Sequence, residues 1–133
     1  MRKIVWLLLA AVASFAAVAD EDGTRFSGEE LKTLVTGATV EHVTKSGSLR
    51  RWKNDADGSF MVTTDNKKYG NALGQQSVTR PGTWLINDGG KYCVEFDWQK
   101  REPEKWCAFI IKGADGGYYL NSVDPARKIK FSK

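Results

Sequence analysis

The residues in this chain that could do chemistry are few and scattered. His42 is the only histidine, and as a general base it would need a nucleophile and an orienting carboxylate brought to it by the fold. Glu95 and Asp97 lie two positions apart and could serve as acid and base in sugar hydrolysis. A cross-strand ion pair is an equally good interpretation of Glu95. For His42, the alternative to catalysis is an ordinary structural position on a strand. A small hydrolase is therefore the last-ranked hypothesis, and we expect no catalytic residue.

Metal-binding patterns are incomplete. The segment Asn54-Asp55-Ala56-Asp57-Gly58 has the composition of a calcium loop, but the acidic residue expected at the end of such a loop is missing. Two cysteines and one distant histidine are too few for a structural zinc site. The sequence therefore predicts no metal and no cofactor, and a turn at residues 54–58.

Aromatic residues are the more unusual feature of the chain. Indole and phenol groups line many ligand cavities, because they combine a large apolar surface with a polar group. Aromatic side chains also fill the cores of small β proteins, so both interpretations stay open. The candidate ligand-binding residues are Trp84, Tyr92, Phe96, Trp106 and Tyr118.

Basic residues cluster with an aromatic residue at Arg50-Arg51-Trp52-Lys53, a pattern that could bind nucleic acid by stacking and phosphate neutralisation. The overall charge argues against this function. Without Arg2 and Lys3, which lie in an amino-terminal segment that we expect to be cleaved, 18 basic residues face 16 acidic ones, a net charge of +2. We therefore expect a solvated strand face with an inward-pointing Trp52, and no nucleic-acid partner.

The amino terminus has the three parts of a secretory signal peptide. Arg2 and Lys3 precede an uncharged apolar stretch, and Ala17-Val18-Ala19 is a small-x-small cleavage site. The apolar stretch is shorter than the about 20 residues of a spanning helix. We expect residues 1–19 to be removed, with no integral membrane anchor afterwards, and residues 20–133 to form a single domain in the periplasm or outside the cell.

The two cysteines, Cys93 and Cys107, both lie in the exported part, where an oxidising compartment favours a disulfide. If they face each other on neighbouring antiparallel strands, the residue numbers of every facing pair on those strands add up to 200. Because side chains alternate along a strand, this register places Tyr92, Val94 and Phe96 together on one face. That face is the better core candidate, and Glu95 on the other face would lie opposite Lys105.

One helix and a series of strands are expected. Ser27 and Glu30 have the spacing of a capping box, Phe26 and Leu31 that of a hydrophobic staple, and Gly37 suits the helix end. From residue 38 the apolar pattern has a period of two, with turn residues about every ten positions. The fold class is therefore mainly β: one N-terminal helix, then an antiparallel meander of about eight strands forming a small barrel or a strongly curved sheet.

Several short motifs together resemble a family of proteins. They are Phe26-Ser27-Gly28-Glu29-Glu30-Leu31, Gly37-Ala38-Thr39-Val40, Asp57-Gly58-Ser59, Gly82-Thr83-Trp84, Tyr92-Cys93-Val94, Trp106-Cys107 and Asp115-Gly116, following a signal peptide. In this arrangement the chain is similar to a family of short exported Gram-negative bacterial proteins catalogued as a domain of unknown function. The resemblance implies a periplasmic or secreted β domain of lipocalin-like size and transfers no catalytic residues.

These observations favour an exported non-enzymatic binding module for a small apolar or aromatic ligand. The ligand would enter near Trp84 and a polar loop that begins at Asp65 and ends near Arg80. The alternative is a protein-interaction or inhibitor domain of the periplasm that uses this loop and exposed strand edges. The partner is accordingly an unknown small ligand or a periplasmic protein.

Overall fold

A computed structural model describes residues 23–65 and 77–133. These residues form ten strands, one α-helix and one short 3-10 helix. In chain order the elements are β1 (Gly23–Arg25), α1 (Gly28–Val35), β2 (Thr39–Val43), β3 (Leu49–Lys53), β4 (Ser59–Asp65), β5 (Ser77–Ile86), β6 (Tyr92–Phe96), β7 (Glu104–Ala108), β8 (Ile110–Gly113), β9 (Tyr118–Leu120), the 3-10 helix (Pro125–Arg127) and β10 (Lys128–Ser132).

Helix α1 begins at the predicted capping box. The Ser27 hydroxyl accepts a hydrogen bond from the Glu30 amide, and the Glu30 carboxylate accepts one from the Ser27 amide. Leu31 and Val35, one turn apart, are fully buried. The helix ends two residues before Gly37, whose φ of +75° lies in the left-handed region that favours glycine. The predicted helix is confirmed, at eight residues.

All ten strands are antiparallel members of one curled, half-barrel sheet, and the predicted mainly β class is confirmed. The strand order is β1-β8-β9-β10-β2-β3-β4-β5-β6-β7. Strands β2 to β7 form the expected meander, and β10 returns to pair with β2. The structure has two more strands than the estimate of about eight. One of them, β1, precedes the helix and pairs with β8.

The alternation of side chains divides the sheet into an inner and an outer face. Inner positions of β2, β3 and β4 hold Val40, Trp52 and Val62, which are all buried. The aromatic rings of the inner face contact one another: Trp52 lies 5.4 Å from Phe60 and 5.2 Å from Phe96, measured between ring centroids. The core therefore fills the concave side of the sheet, and helix α1 adds Leu31 and Val35 to it.

Cys93 and Cys107 form the predicted disulfide. They are direct partners in the β6–β7 ladder, and every pair in that ladder has positions that sum to 200. The predicted register is therefore confirmed. Tyr92, Val94 and Phe96 are buried on the inner face, as expected, whereas the disulfide lies on the outer face, with Cys107 exposed.

Gly82 in β5 lets the ring of Phe60 pack directly against the backbone of the sheet. A Cβ atom at this position would lie 2.2 Å from the Phe60 ring and 2.7 Å from the Glu95 carbonyl oxygen. A glycine is needed here for space rather than for backbone conformation. Among the described residues, no helix is long and apolar enough to cross a membrane.

Candidate functional site

The open side of the half-barrel contains a largely buried ion pair and buried polar atoms without partners among the described residues. Strands β1 and β7 are the two edges of the sheet. Strand β7 ends at Ala108, and β8, which lies next to the opposite edge, begins at Ile110, so the chain itself joins the two ends at one corner. We call the gap between β7 and the facing strands β2, β3 and β9 the seam.

A polar contact bridges the seam between β3 and β7. The Arg50 guanidinium Nη1 lies 2.6 Å from Glu104 Oε2, and Trp98 Nε1 donates to Glu104 Oε1 at 3.1 Å. The guanidinium also lies over the Trp98 ring, 4.9 Å from its centroid, and over Phe96, at 5.4 Å. The side chain of Arg50 is only 12% exposed, so this ion pair is largely removed from water.

His42 lies next to this ion pair on the inner face, as the direct partner of Arg50 in the β2–β3 ladder. Its ring is 5.9 Å from that of Trp106 across the seam. Burial, together with the positive charge of Arg50, lowers the pKa of His42, and the Glu104 carboxylate partly opposes that effect. His42 is therefore neutral at physiological pH.

Two buried polar atoms at the seam lack hydrogen-bond partners within the described part of the chain. They are Nδ1 of His42 and Nε of Arg50. Buried nitrogen atoms are nearly always paired, so two orphans on neighbouring residues need an explanation. An imidazole nitrogen without a partner can bind an oxygen atom of a ligand.

A groove of about 400 Å³ runs along the seam, and His42 is one of the residues that line it. We call it the seam groove. His42 and Trp106 form one part of its wall, and Ala108 and Leu120 add apolar surface. Asp124 and Arg127, one carboxylate and one guanidinium, lie at its outer part. The groove has the size, the apolar lining and the few polar groups that are typical of small-molecule sites.

Three of the five aromatic residues proposed as ligand-binding lie in the core. Tyr92 and Phe96 have no exposed surface and Trp84 is 8% exposed. Their polar groups are satisfied internally: Trp84 Nε1 donates to the carbonyl oxygen of Asp55, and the Tyr92 hydroxyl donates to Asn54 Oδ1. Burial raises the pKa of Tyr92.

The other two proposed residues, Trp106 and Tyr118, are half-buried and line grooves. Trp106 lies between the seam groove and a groove of about 490 Å³ over the disulfide, next to the exposed Leu85. Tyr118 lines a third groove, of about 900 Å³, near β2 and β10. The structure therefore does not bring the five aromatic residues together in one cup. Most of the predicted entry loop, residues 66–76, lies outside the described residues.

The residues of the hydrolase hypothesis lie on different faces. Glu95 is on the outer face, 3.9 Å from Lys105, and the exposed Asp97 lies 3.9 Å from Arg80. His42 is on the inner face. In residues 23–65 and 77–133, no group of three or more histidine, cysteine or carboxylate side chains could hold a metal ion. Asp57 instead accepts hydrogen bonds from Ser59, which lower its pKa.

Two features of the site were missed from sequence. Nothing in the sequence assigns Glu104 to a site, and the sequence places Arg50 in one basic cluster with Arg51 and Lys53. A period of two along β3 places Arg50 on the same face as the buried Trp52, and this alternation could have identified it as an inward-pointing charge. No pattern in the sequence indicates that β3 faces β7.

Comparison with known proteins places the chain in a family. No curated protein and no solved structure matches it. A family model described as "Protein of unknown function (DUF995)" matches residues 6–119, and the match extends over most of the chain, including β2, β3 and β7. The resemblance noted in the sequence is therefore confirmed, and the chain belongs to the DUF995 family.

Proposed function

We propose that this protein is an exported, non-enzymatic binding module that takes a small aromatic ligand in the seam groove. Export is supported by the signal-peptide pattern of residues 1–19 and by the Cys93–Cys107 disulfide, because such bonds persist in oxidising compartments. The periplasm of a Gram-negative bacterium is the compartment that fits both features.

The observation that carries the proposal is the unpaired His42 Nδ1 beside an apolar groove. A ligand that fills the space next to Trp106 and Leu120 would bury apolar surface, which is the main source of affinity in such sites. An oxygen atom of the same ligand could accept a hydrogen bond from the His42 imidazole in the groove wall, and so pair the orphaned nitrogen of that ring.

The charge balance of the site indicates which oxygen fits. Glu104 already neutralises Arg50, and His42 is neutral, so the cluster carries no net charge. A carboxylate ligand would find no net counter-charge in this cluster to offset the loss of its hydration, whereas a carbonyl or ether oxygen needs none. The ligand class that the groove supports best is therefore a neutral aromatic compound with one oxygen acceptor.

Acetophenone and ethylbenzene are suitable probes, because they have similar shapes and only acetophenone has a carbonyl oxygen. In NMR titrations of the isotope-labelled mature protein, acetophenone should shift the indole signal of Trp106 and the imidazole signals of His42. Acetophenone should also bind more tightly than ethylbenzene. His42→Phe should remove this preference but keep apolar binding. Leu85→Ala, in the groove over the disulfide, is the matched control and should change neither affinity. Equal affinity for both probes in the parent protein, or shifts confined to Leu85, would contradict the proposal.

A protein-interaction role is the second candidate, and the exposed edge of β7 favours it. The Cα atoms of Cys93 and Cys107 are 4.0 Å apart, the spacing of a non-hydrogen-bonded pair. The backbone groups of Lys105 and Cys107 therefore point away from β6, toward the edge where an added strand could pair. Pull-down from a periplasmic extract with the parent protein and with Lys105→Pro tests this candidate. A partner retained equally by both proteins would argue against strand addition at β7.

A further inference from the structure

The outer face of β10, β2 and β3 has a strongly uneven charge. Alternation along the strands places Lys128 and Lys130 of β10 on the same face as Arg51 and Lys53 of β3. Glu41 is the only carboxylate within the three strands, and it pairs with Arg51. The protein is nearly balanced in total charge, so this concentration of cations on one face is a property of the fold. We call this surface the basic face.

An apolar tip continues the basic face. Val43 and Leu49 are direct partners at the end of the β2–β3 hairpin, and they are 53% and 37% exposed. Lys45 lies in the turn between them and is exposed. The groove of about 900 Å³ runs beside this tip, and its lining combines Val43, Leu49 and Tyr118 with lysine side chains.

Carboxylates at the margin of the basic face do not cancel its charge. Asp115 lies 3.9 Å from the Lys128 ammonium. Asp65 Oδ1 accepts a hydrogen bond from the Leu49 amide at the edge of the tip. These two and Glu41 face five cations, and Lys53, Lys130 and Lys45 form no ion pair within the described residues.

We propose that the basic face and its apolar tip form a docking surface for an anionic phospholipid membrane. Lysine and arginine side chains near a bilayer are attracted by the negative potential of its headgroups. The exposed Val43 and Leu49 would enter the interfacial region, where apolar side chains gain from burial. A polyanionic polymer would bind the cations but would not contact Val43 and Leu49 favourably. A membrane contacts both the cations and these apolar side chains, and it is therefore the better partner.

Vesicle co-sedimentation tests the proposal with the disulfide-bonded mature protein. Vesicles of phosphatidylcholine with about one third phosphatidylglycerol should bind it, and vesicles of phosphatidylcholine alone should not. Binding should weaken strongly near 1 M salt, where the screening length falls to about 3 Å. Lys53→Gln with Lys130→Gln should weaken partitioning at least about tenfold, because each cation near the surface contributes about 1 kcal/mol, a factor of about five. Leu49→Ser should weaken the binding that remains at high salt.

Lys32→Gln with Lys100→Gln is the matched control, since it removes the same charge from exposed positions outside the basic face. Its partitioning should stay within about twofold of the parent. Circular dichroism and urea unfolding of each variant separate loss of docking from loss of folding. Equal weakening by both lysine pairs, equal binding to neutral vesicles, or binding to heparin without binding to vesicles would each overturn the proposal.

Discussion

Arg50 and Glu104 lie 54 positions apart in the chain and form an ion pair across the seam, with 2.6 Å between Nη1 and Oε2. The pair joins β3, the second strand of the meander, to β7, its last strand. Trp98 donates to the second carboxylate oxygen of Glu104, so both oxygens of this carboxylate are used. On the open side of the sheet, β3 and β7 are therefore joined by side chains, because no backbone ladder links them among the described strands.

Replacing Glu104 by alanine is expected to destabilise the protein by about 2 kcal/mol. The change leaves the Arg50 guanidinium largely buried without its counter-charge and also leaves Trp98 Nε1 without its acceptor. The value lies below the range for fully buried pairs because the Glu104 side chain is 35% exposed. Urea unfolding followed by tryptophan fluorescence measures the difference.

Glu95→Ala is the matched control, because the Glu95–Lys105 pair spans neighbouring strands on the outer face at 3.9 Å. An exposed pair of this kind contributes about 0.5 kcal/mol or less. Equal losses for Glu104→Ala and Glu95→Ala would show that the seam contact has no special role in stability.

His42 is expected to make the free energy of unfolding fall as the pH decreases from about 7 through the ordinary histidine pKa of 6.5. Because the pKa of folded His42 lies below the usual value of 6.5, the unfolded chain binds more protons in this window. The contribution of His42 is fully present above the unfolded pKa and is lost as the pH falls toward the folded pKa. The chain has one histidine, so the titration of one NMR resonance gives the folded pKa directly.

His42→Phe should reduce this slope, because no other side chain has an ordinary pKa in that window. Unfolding measured at several pH values for both proteins provides the comparison. A histidine resonance that titrates at or above 6.5 would contradict the assigned burial and the neutral state used for the ligand site.

Reduction of the Cys93–Cys107 disulfide is expected to cost about 3 kcal/mol of stability, the chain-entropy estimate for a loop of about 15 residues. The β6–β7 ladder and the buried Tyr92, Val94 and Phe96 remain in place without the bond, so the reduced protein should still fold. Unfolding of the parent with and without reductant, beside the Cys93→Ser, Cys107→Ser variant, measures the effect. A double variant that is as stable as the oxidised parent would contradict the estimate.

Local patterns in the sequence predicted local structure well. The capping box at Ser27 and Glu30 acts within one turn of helix, and the hydrogen bonds that it predicts are those observed. The register of β6 and β7 followed from Cys93 and Cys107 because the period of two fixes every other pair on those strands. In both cases the determining contacts are close in sequence.

The seam could not be predicted in the same way. The pairing of β10 with β2 and the approach of β7 to β3 are set by the curvature of the whole sheet, which depends on many long-range contacts. The turn predicted at residues 54–58 is present, but its composition does not indicate that its first residue, Asn54, is fully buried. Such a residue is explained only by the partners that the tertiary structure brings to it.

Replacing Asn54 by leucine is expected to cost about 3 kcal/mol, the largest loss among single changes in the core network. Asn54 Oδ1 accepts from Trp52 Nε1 at 3.1 Å and from the Tyr92 hydroxyl at 2.7 Å, and Nδ2 donates to the Val35 carbonyl oxygen at the end of α1. Leucine leaves the buried Tyr92 hydroxyl without an acceptor, while the Val35 carbonyl keeps only the Ala38 amide as its donor. An unpaired buried group costs about 1–3 kcal/mol.

Tyr92→Phe is the graded control, because Trp52 Nε1 keeps Asn54 as its acceptor when the hydroxyl is removed. This variant should lose about 1 kcal/mol, the typical contribution of one hydrogen bond. Because Asn54 connects the sheet to the helix, Asn54→Leu should also increase hydrogen exchange in residues 28–36, whereas Tyr92→Phe should leave those rates unchanged. An equal effect of the two variants on helix exchange would mean that burial of Leu31 and Val35 alone holds α1 against the sheet.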